Sequence, residues 1–210
     1  MTIMTTLTPV LNKPEVVYPE SDGLPLSDNT KQFRWIMTIQ GGIDAQFFDD
    51  PYVFVAGNLL WYPVENDNKT RTAPDIFVAF GRPKGDRGSY QQWLEANIAP
   101  QVTFEIVSPG NTAGILTEKF NFYDKYGVEE YYLLDPDDNS LDGWTRKNER
   151  LTKIQRMEGW ISPLLGIKFD RSGDELRIIG KNGEPFVATP EAIRQRDQAI
   201  KAKDQAEQQA

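Results

Sequence analysis

Glu105 stands in the middle of QVTFEIVS (Gln101–Ser108), where alternation puts Val102, Phe104 and Ile106 on one face of a strand and Thr103, Glu105 and Val107 on the other. A carboxylate in such an apolar strand costs several kcal/mol to desolvate unless a cation, a donor network or a solvated edge meets it. Asp75, just after Pro74 at the head of IFVAF, poses the same problem, sharing a face with Phe77 and Ala79 while Ile76, Val78 and Phe80 take the other. If the two strands are neighbours, the carboxylates meet above one sheet face and repel, and a divalent cation is the usual remedy. Lys119 has Ile115, Leu116, Phe122 and Tyr123 at helical three- and four-residue offsets, so it lies on the apolar side of its helix, whereas Lys125 reads as solvated. Each residue alone has a plainer reading: a strand-entry Asp, a Glu paired with a structural Arg, a snorkelling Lys.

The elements that must position these groups follow from the pattern. Residues 1–25, rich in Thr, Pro and Ser, read as an arm. Residues 28–40 open with a capping Asp28, place Phe33, Ile36, Met37 and Gln40 on one helical face, and stop at Gly41-Gly42. Residues 52–64 and 73–80 read as two strands joined by a hairpin-like turn, 101–108 as a third, 112–126 as a helix closed by Gly127, and 130–135 as a fourth strand. Short strands over 140–146, 150–157, 160–169 and 175–179 form a meander. Thr189-Pro190-Glu191 starts a last helix, in which Ala192-Ile193, Ala199-Ile200 and Ala206 recur at seven-residue spacing as the seam of a short coiled coil or as one face of a frayed tail. The expected organisation is therefore an arm (1–25), a mixed α/β domain (26–188) and a helical tail (189–210).

Composition narrows the chemistry. The 210 residues contain neither His nor Cys, which removes disulfides, thiolate nucleophiles, Ser-His-Asp triads and imidazole- or thiolate-held metals. Catalysis must run on carboxylates, Lys, Tyr or hydroxyls, and any metal is a hard, oxygen-liganded cation. No apolar run reaches the roughly 18 residues of a membrane helix, and a cytoplasmic protein is expected. A net charge of −8 argues mildly against a nucleic-acid partner unless charge is segregated.

Pro74-Asp75, FEIVSPGNT (104–112) and EKFNFYDKYGVEEYYLLDP (118–136) resemble a large cyanobacterial restriction endonuclease family within the PD-(D/E)XK nuclease superfamily. The resemblance spans roughly residues 18–169 and implies a restriction-endonuclease-like core sheet flanked by helices, with a C-terminal β-meander and terminal helix. It implies Asp75 and Glu105 as magnesium (or manganese) ligands, the Ile106 carbonyl as a third, and phosphodiester hydrolysis of DNA as the activity. The superfamily pattern has a Lys two residues after the second acid. This chain has Val107 there, and Lys119 matches a variation in which the Lys migrates to the following helix. Relatives carry an acid one turn before that Lys, where this chain has Ile115 and Leu116. A homodimer is expected by analogy, since cutting both strands of a duplex usually takes two sites.

For holding DNA, GRPKGDRGSYQQW (81–93) offers Arg82, Lys84 and Arg87, with Tyr90 or Trp93 to stack on a base. A second basic run, Arg146, Lys147, Arg150, Lys153 and Arg156, is expected on an exposed strand face. Tyr123 reads as a core ring or as a phosphate donor. Two other functions fit the residues: a nuclease fold without turnover, acting as a DNA-binding or protein-interaction module, and a carboxylate-pair glycosidase, which a core Lys and a Gly/Arg loop fit less well.

Overall fold

The computed structural model describes residues 16–21, 23, 27–188, 190, 192, 194, 197, 198, 200 and 201. Most of the expected arm lies outside the described residues, as do Ile193, Ala199 and Ala206 of the expected coiled-coil seam. Among the described residues no helix is long and apolar enough to cross a membrane.

Helix α1 (Thr30–Gln46) is capped by Asn29, whose side chain accepts from the Gln32 amide at 2.9 Å, rather than by Asp28. It buries Gln32, Ile36, Ile39 and Ile43, whereas Phe33 and Met37 are 41% and 40% exposed, so the expected apolar face is rotated. The helix also runs through Gly41-Gly42 instead of stopping there. A Cβ at Gly42 would collide with the Phe186 ring, so this glycine serves a close approach rather than a helix end.

Strand β1 (Val53–Gly57) and strand β2 (Trp61–Tyr62) replace the single strand expected over 52–64. Asn58, at φ 49°, turns the chain between them. Strands β3 (Ile76–Phe80), β4 (Tyr90–Gln91) and β5 (Val102–Ile106) follow, then helix α2 (Ala113–Tyr126) and strands β6 (Glu130–Asp135), β7 (Ser140–Lys147) and β8 (Arg150–Lys153). The main sheet has the order β1-β3-β5-β6-β7-β8, antiparallel throughout except for β5 and β6. That parallel pair needs a crossover, which α2 supplies. Strand β2 pairs in parallel with β4, and β9 (Lys168–Asp170) pairs with β10 (Arg177–Ile179). Of the strand expected over 160–169 only its end is realised, because Ser162 and Gly166 fold the segment into a turn by a 2.8 Å backbone hydrogen bond.

Period-two alternation divides the core as the sequence requires. One sheet face (Val53, Ile76, Val78, Val102, Phe104, Ile106) packs with α1, and the other (Phe54, Phe77, Ala79, Tyr131) with Tyr123 of α2 and with Trp61 and Tyr90. Helix α2 starts at its Thr112 cap and ends on Gly127 at φ 92°, where a left-handed residue is required. From β7, Arg146 donates to the backbone oxygens of Tyr123 (3.2 Å), Asp124 (2.8 Å) and Val128 (2.8 Å), placing a cation on the negative end of α2. Arg150 and the Leu151 amide both bond Asp124 at 2.6 Å, and Lys153 pairs with Asp142 at 2.8 Å. The basic run is thus partly spent on internal structure rather than displayed.

Candidate active site

Ile76 faces Phe104 in the β3–β5 register, so the next residue of each chain sets Asp75 against Glu105. Both are buried, at 7% and 2% exposure, on the α2 side of the sheet. Asp75 Oδ2 accepts the Ile106 amide at 2.7 Å, which pins the carboxylate to the neighbouring strand. Burial, and after it the charge of Glu105, push the Asp75 carboxyl up to about 7; Lys119, the Ile106 amide and Gln32 pull the other way. The charged form of Asp75 is thus disfavoured, chiefly by burial and next by its acidic neighbour.

Glu105 is held from both sides by α2. Its Oε2 accepts from Lys119 Nζ at 2.6 Å and its Oε1 from the Tyr123 hydroxyl in a short hydrogen bond. Lys119 also donates to the Ala73 carbonyl at 3.2 Å, tying the segment before Asp75 to the same ammonium. Lys119 and Tyr123 are four residues apart, so one helix face delivers both. Tyr123 is fully buried, and burial pushes its hydroxyl well above the ordinary tyrosine value, so it donates as a neutral phenol.

The Ile106 carbonyl accepts the Gln32 amide nitrogen at 3.0 Å, and Gln32 Oε1 accepts from the Asp28 amide at 2.7 Å. The carbonyl's second lone pair is what a metal would use. Gln32 was legible only as a polar residue in a helix; its burial comes from a phase that alternation elsewhere does not reveal. Nearby, Asp28 makes a short hydrogen bond with Ser108, and Asn111 accepts from the Ser108 amide at 2.9 Å.

A cleft of about 450 Å³ opens beside these groups, with Asp28, Asn58, Arg71, Asp75, Asn111 and Lys119 on its walls. A larger cleft of about 720 Å³, between α1 and residues 180–187, has no carboxylate pair and lies away from the acids.

The residues of the 81–93 loop stand elsewhere. Arg82 and Arg87 both grip Glu95, at 2.8 and 2.6 Å, and Lys84 pairs with Asp44 at 2.9 Å. Burial pushes the Glu95 carboxyl up, but hydrogen bonds and charge from Arg87 and Arg82 outweigh it and hold it below the usual carboxylate range. Arg87 also lies over the Phe54 ring, 3.9 Å from its centroid. Tyr90 is fully buried with its hydroxyl on the Ile98 carbonyl at 2.8 Å, so it does not present a ring for base stacking, and Trp93 packs on Tyr18 at 5.0 Å. On the wall of the acid cleft itself stands Arg71, which has no carboxylate partner among the described residues and which nothing local in the sequence distinguishes.

Among the described residues no group of three His, Cys, Asp or Glu side chains could hold a metal. Two carboxylates and a carbonyl, with the remaining positions left to water and substrate phosphate, nevertheless fit magnesium, which is commonly bound through one or two carboxylates and dehydrates reluctantly.

No curated protein matches the chain. A crystal structure described as a putative nuclease belonging to DUF820, from Anabaena variabilis, is similar at 17% identity and a TM-score of 0.48, over 64% of this chain and 72% of that one. The model of the Uma2 family, described as a putative restriction endonuclease, matches residues 35–172, a span that runs from the buried face of α1 through both acidic strands and α2 to the end of β9, and the chain belongs to that family.

Proposed function

We propose that the protein is a magnesium-dependent DNA endonuclease of the PD-(D/E)XK type, with Asp75 and Glu105 as metal ligands and Lys119 as the catalytic ammonium. The observation that carries this reading is the convergence of Asp75, Glu105 and Lys119, from β3's leading edge, β5 and α2, beside one cleft. Asp75, Glu105 and the Ile106 carbonyl would hold the ion; when bound, it supplies an activated water and a counter-charge for the phosphate. Manganese would serve in its place.

Hydrolysis forms a bond from water oxygen to phosphorus and breaks the bond to a sugar oxygen, which takes up a proton. Lys119 Nζ offsets the charge that builds on the phosphoryl oxygens. Tyr123 and the Ile106 amide fix the two carboxylates so that neither has to reorganise during the reaction. Leu60 and Ile115 add apolar surface to the cleft wall. Two copies acting together would cut both strands of a duplex.

A second reading, a nuclease fold retained as a binding module, is favoured by one observation: both oxygens of Glu105 already accept protein donors, so a metal must displace or share Lys119 at Oε2. Incubating the purified chain with plasmid DNA and magnesium or manganese, beside Asp75→Ala and Glu105→Ala, separates the readings. Nicking or linearisation abolished by both substitutions is expected. Equal cutting by the variants overturns the nuclease assignment, and metal binding by calorimetry without cutting favours the module.

A further inference from the structure

We infer that Arg71 forms a phosphate subsite, binding the backbone phosphate of a nucleic acid next to the one engaged by Lys119; this rests on the nuclease reading above and deepens it. Arg71 is half-buried and shares the 450 Å³ cleft with Asp75 and Lys119. Its NH1 donates to the Asn68 carbonyl at 3.1 Å and, more weakly, to the Tyr62 hydroxyl at 3.4 Å, and its guanidinium carbon sits 5.9 Å from the Tyr62 ring centroid. These contacts aim the group without neutralising it. No carboxylate lies within ion-pair distance among the described residues, and Nε and NH2 have no hydrogen-bond partner there.

In a chain of net charge −8, a half-buried guanidinium without a counter-ion is the exception among the described residues, since the other half-buried arginines, Arg82, Arg87 and Arg146, each have a carboxylate partner. The two open donors form one edge of the planar fork that matches phosphate oxygens. The Asn58 and Asn111 side chains on the same wall add neutral polar groups of the kind that contact sugar and phosphate. The loop that carries Arg71 is fixed in turn. Asp67 accepts from the Lys69 and Thr70 amides at 2.9 and 3.0 Å, and Asn68 Nδ2 donates to the Val17 carbonyl at 2.8 Å. The guanidinium thus stands ready before any ligand arrives.

The test is fluorescence anisotropy of the full chain with magnesium and short labelled phosphorothioate DNA, charged but slow to hydrolyse, across a salt series. Arg71→Gln is expected to weaken binding by about tenfold to a hundredfold. It should also reduce the slope of log affinity against log salt by about 0.7 on single strands and about 0.9 on duplex, the loss of one phosphate contact. Arg71→Lys should retain the slope, and Lys168→Ala, exposed on β9 and outside the cleft, should match the wild type. Thermal melting followed by circular dichroism shows that each variant is folded. An unchanged slope in a folded Arg71→Gln protein overturns the inference alone, leaving the nuclease reading standing if the wild type still cuts plasmid. If the wild type binds no DNA, both fall.

Discussion

The Lys119 ammonium donates to Glu105 Oε2 at 2.6 Å across the gap between α2 and β5, with the amine side chain 20% exposed and the carboxylate 3%. An ion pair so placed has one wet and one dry partner, and the two are energetically coupled through the dry one. A double-mutant cycle with Lys119→Met and Glu105→Gln should give a coupling free energy of about 1–3 kcal/mol by urea denaturation. Additive effects would mean that the pair does not act as a unit.

Tyr123→Phe removes one hydroxyl and leaves Glu105 Oε1 buried without its donor. A stability loss of about 1–3 kcal/mol is expected, seen as a lower guanidinium chloride midpoint at unchanged slope. Magnesium affinity by calorimetry should fall as well, because the ligand carboxylate loses its fixed orientation. A variant that melts lower but binds metal as the wild type does would restrict Tyr123 to packing.

Glu130 offers a test by pH away from the acid pair. It accepts from the hydroxyls of Ser162 and Tyr132 and from the Leu164 amide, and burial raises its carboxyl above the ordinary value of 4.5 although those donors work against the rise. The folded state therefore binds the proton more tightly than the unfolded chain. The stability this adds is complete below pH 4.5 and is lost as pH climbs through the folded value. Asp75 acts in the same direction, so the comparison needed is wild type against Glu130→Gln, by urea melts at successive pH. The wild type should lose stability relative to the variant as pH rises from about 4 to 7; a gain would refute the assignment.

Gly41 and Gly42 sit side by side in α1 with opposite surroundings: nothing lies near the place of a Cβ on Gly41, while one on Gly42 would strike Phe186. Gly41→Ala should stabilise by up to about 1 kcal/mol through helix propensity. Gly42→Ala should destabilise in spite of the same gain, because the ring must move. Thermal melts of the two variants decide it, and equal effects would show that Phe186 yields freely.

What was legible in the sequence follows from the range of the forces involved. The faces of β3 and β5 could be read because side-chain direction in a strand alternates with period two, and this placed Asp75 and Glu105 on a common side. Lys119 was reachable from the offsets of its apolar neighbours, and Thr112 and Gly127 bounded α2 as their conformations require. The stop at Gly41-Gly42 failed because Phe186, distant in the chain, gives Gly42 its purpose. The 81–93 loop looked free because Glu95, its two-armed counter-ion, lies beyond the loop, and Arg71 was overlooked because lacking a carboxylate partner leaves no mark on the sequence.

Arg146 ties the last turn of α2 to β7, so the helix that brings Lys119 and Tyr123 to the acids is steadied by a ribbon at the opposite end of the sheet. A descendant that shortened this hairpin would keep every reactive group and still lose their alignment. Selection on chemistry alone would then preserve a distant scaffold, and the two halves of the sheet are bound to evolve as one piece.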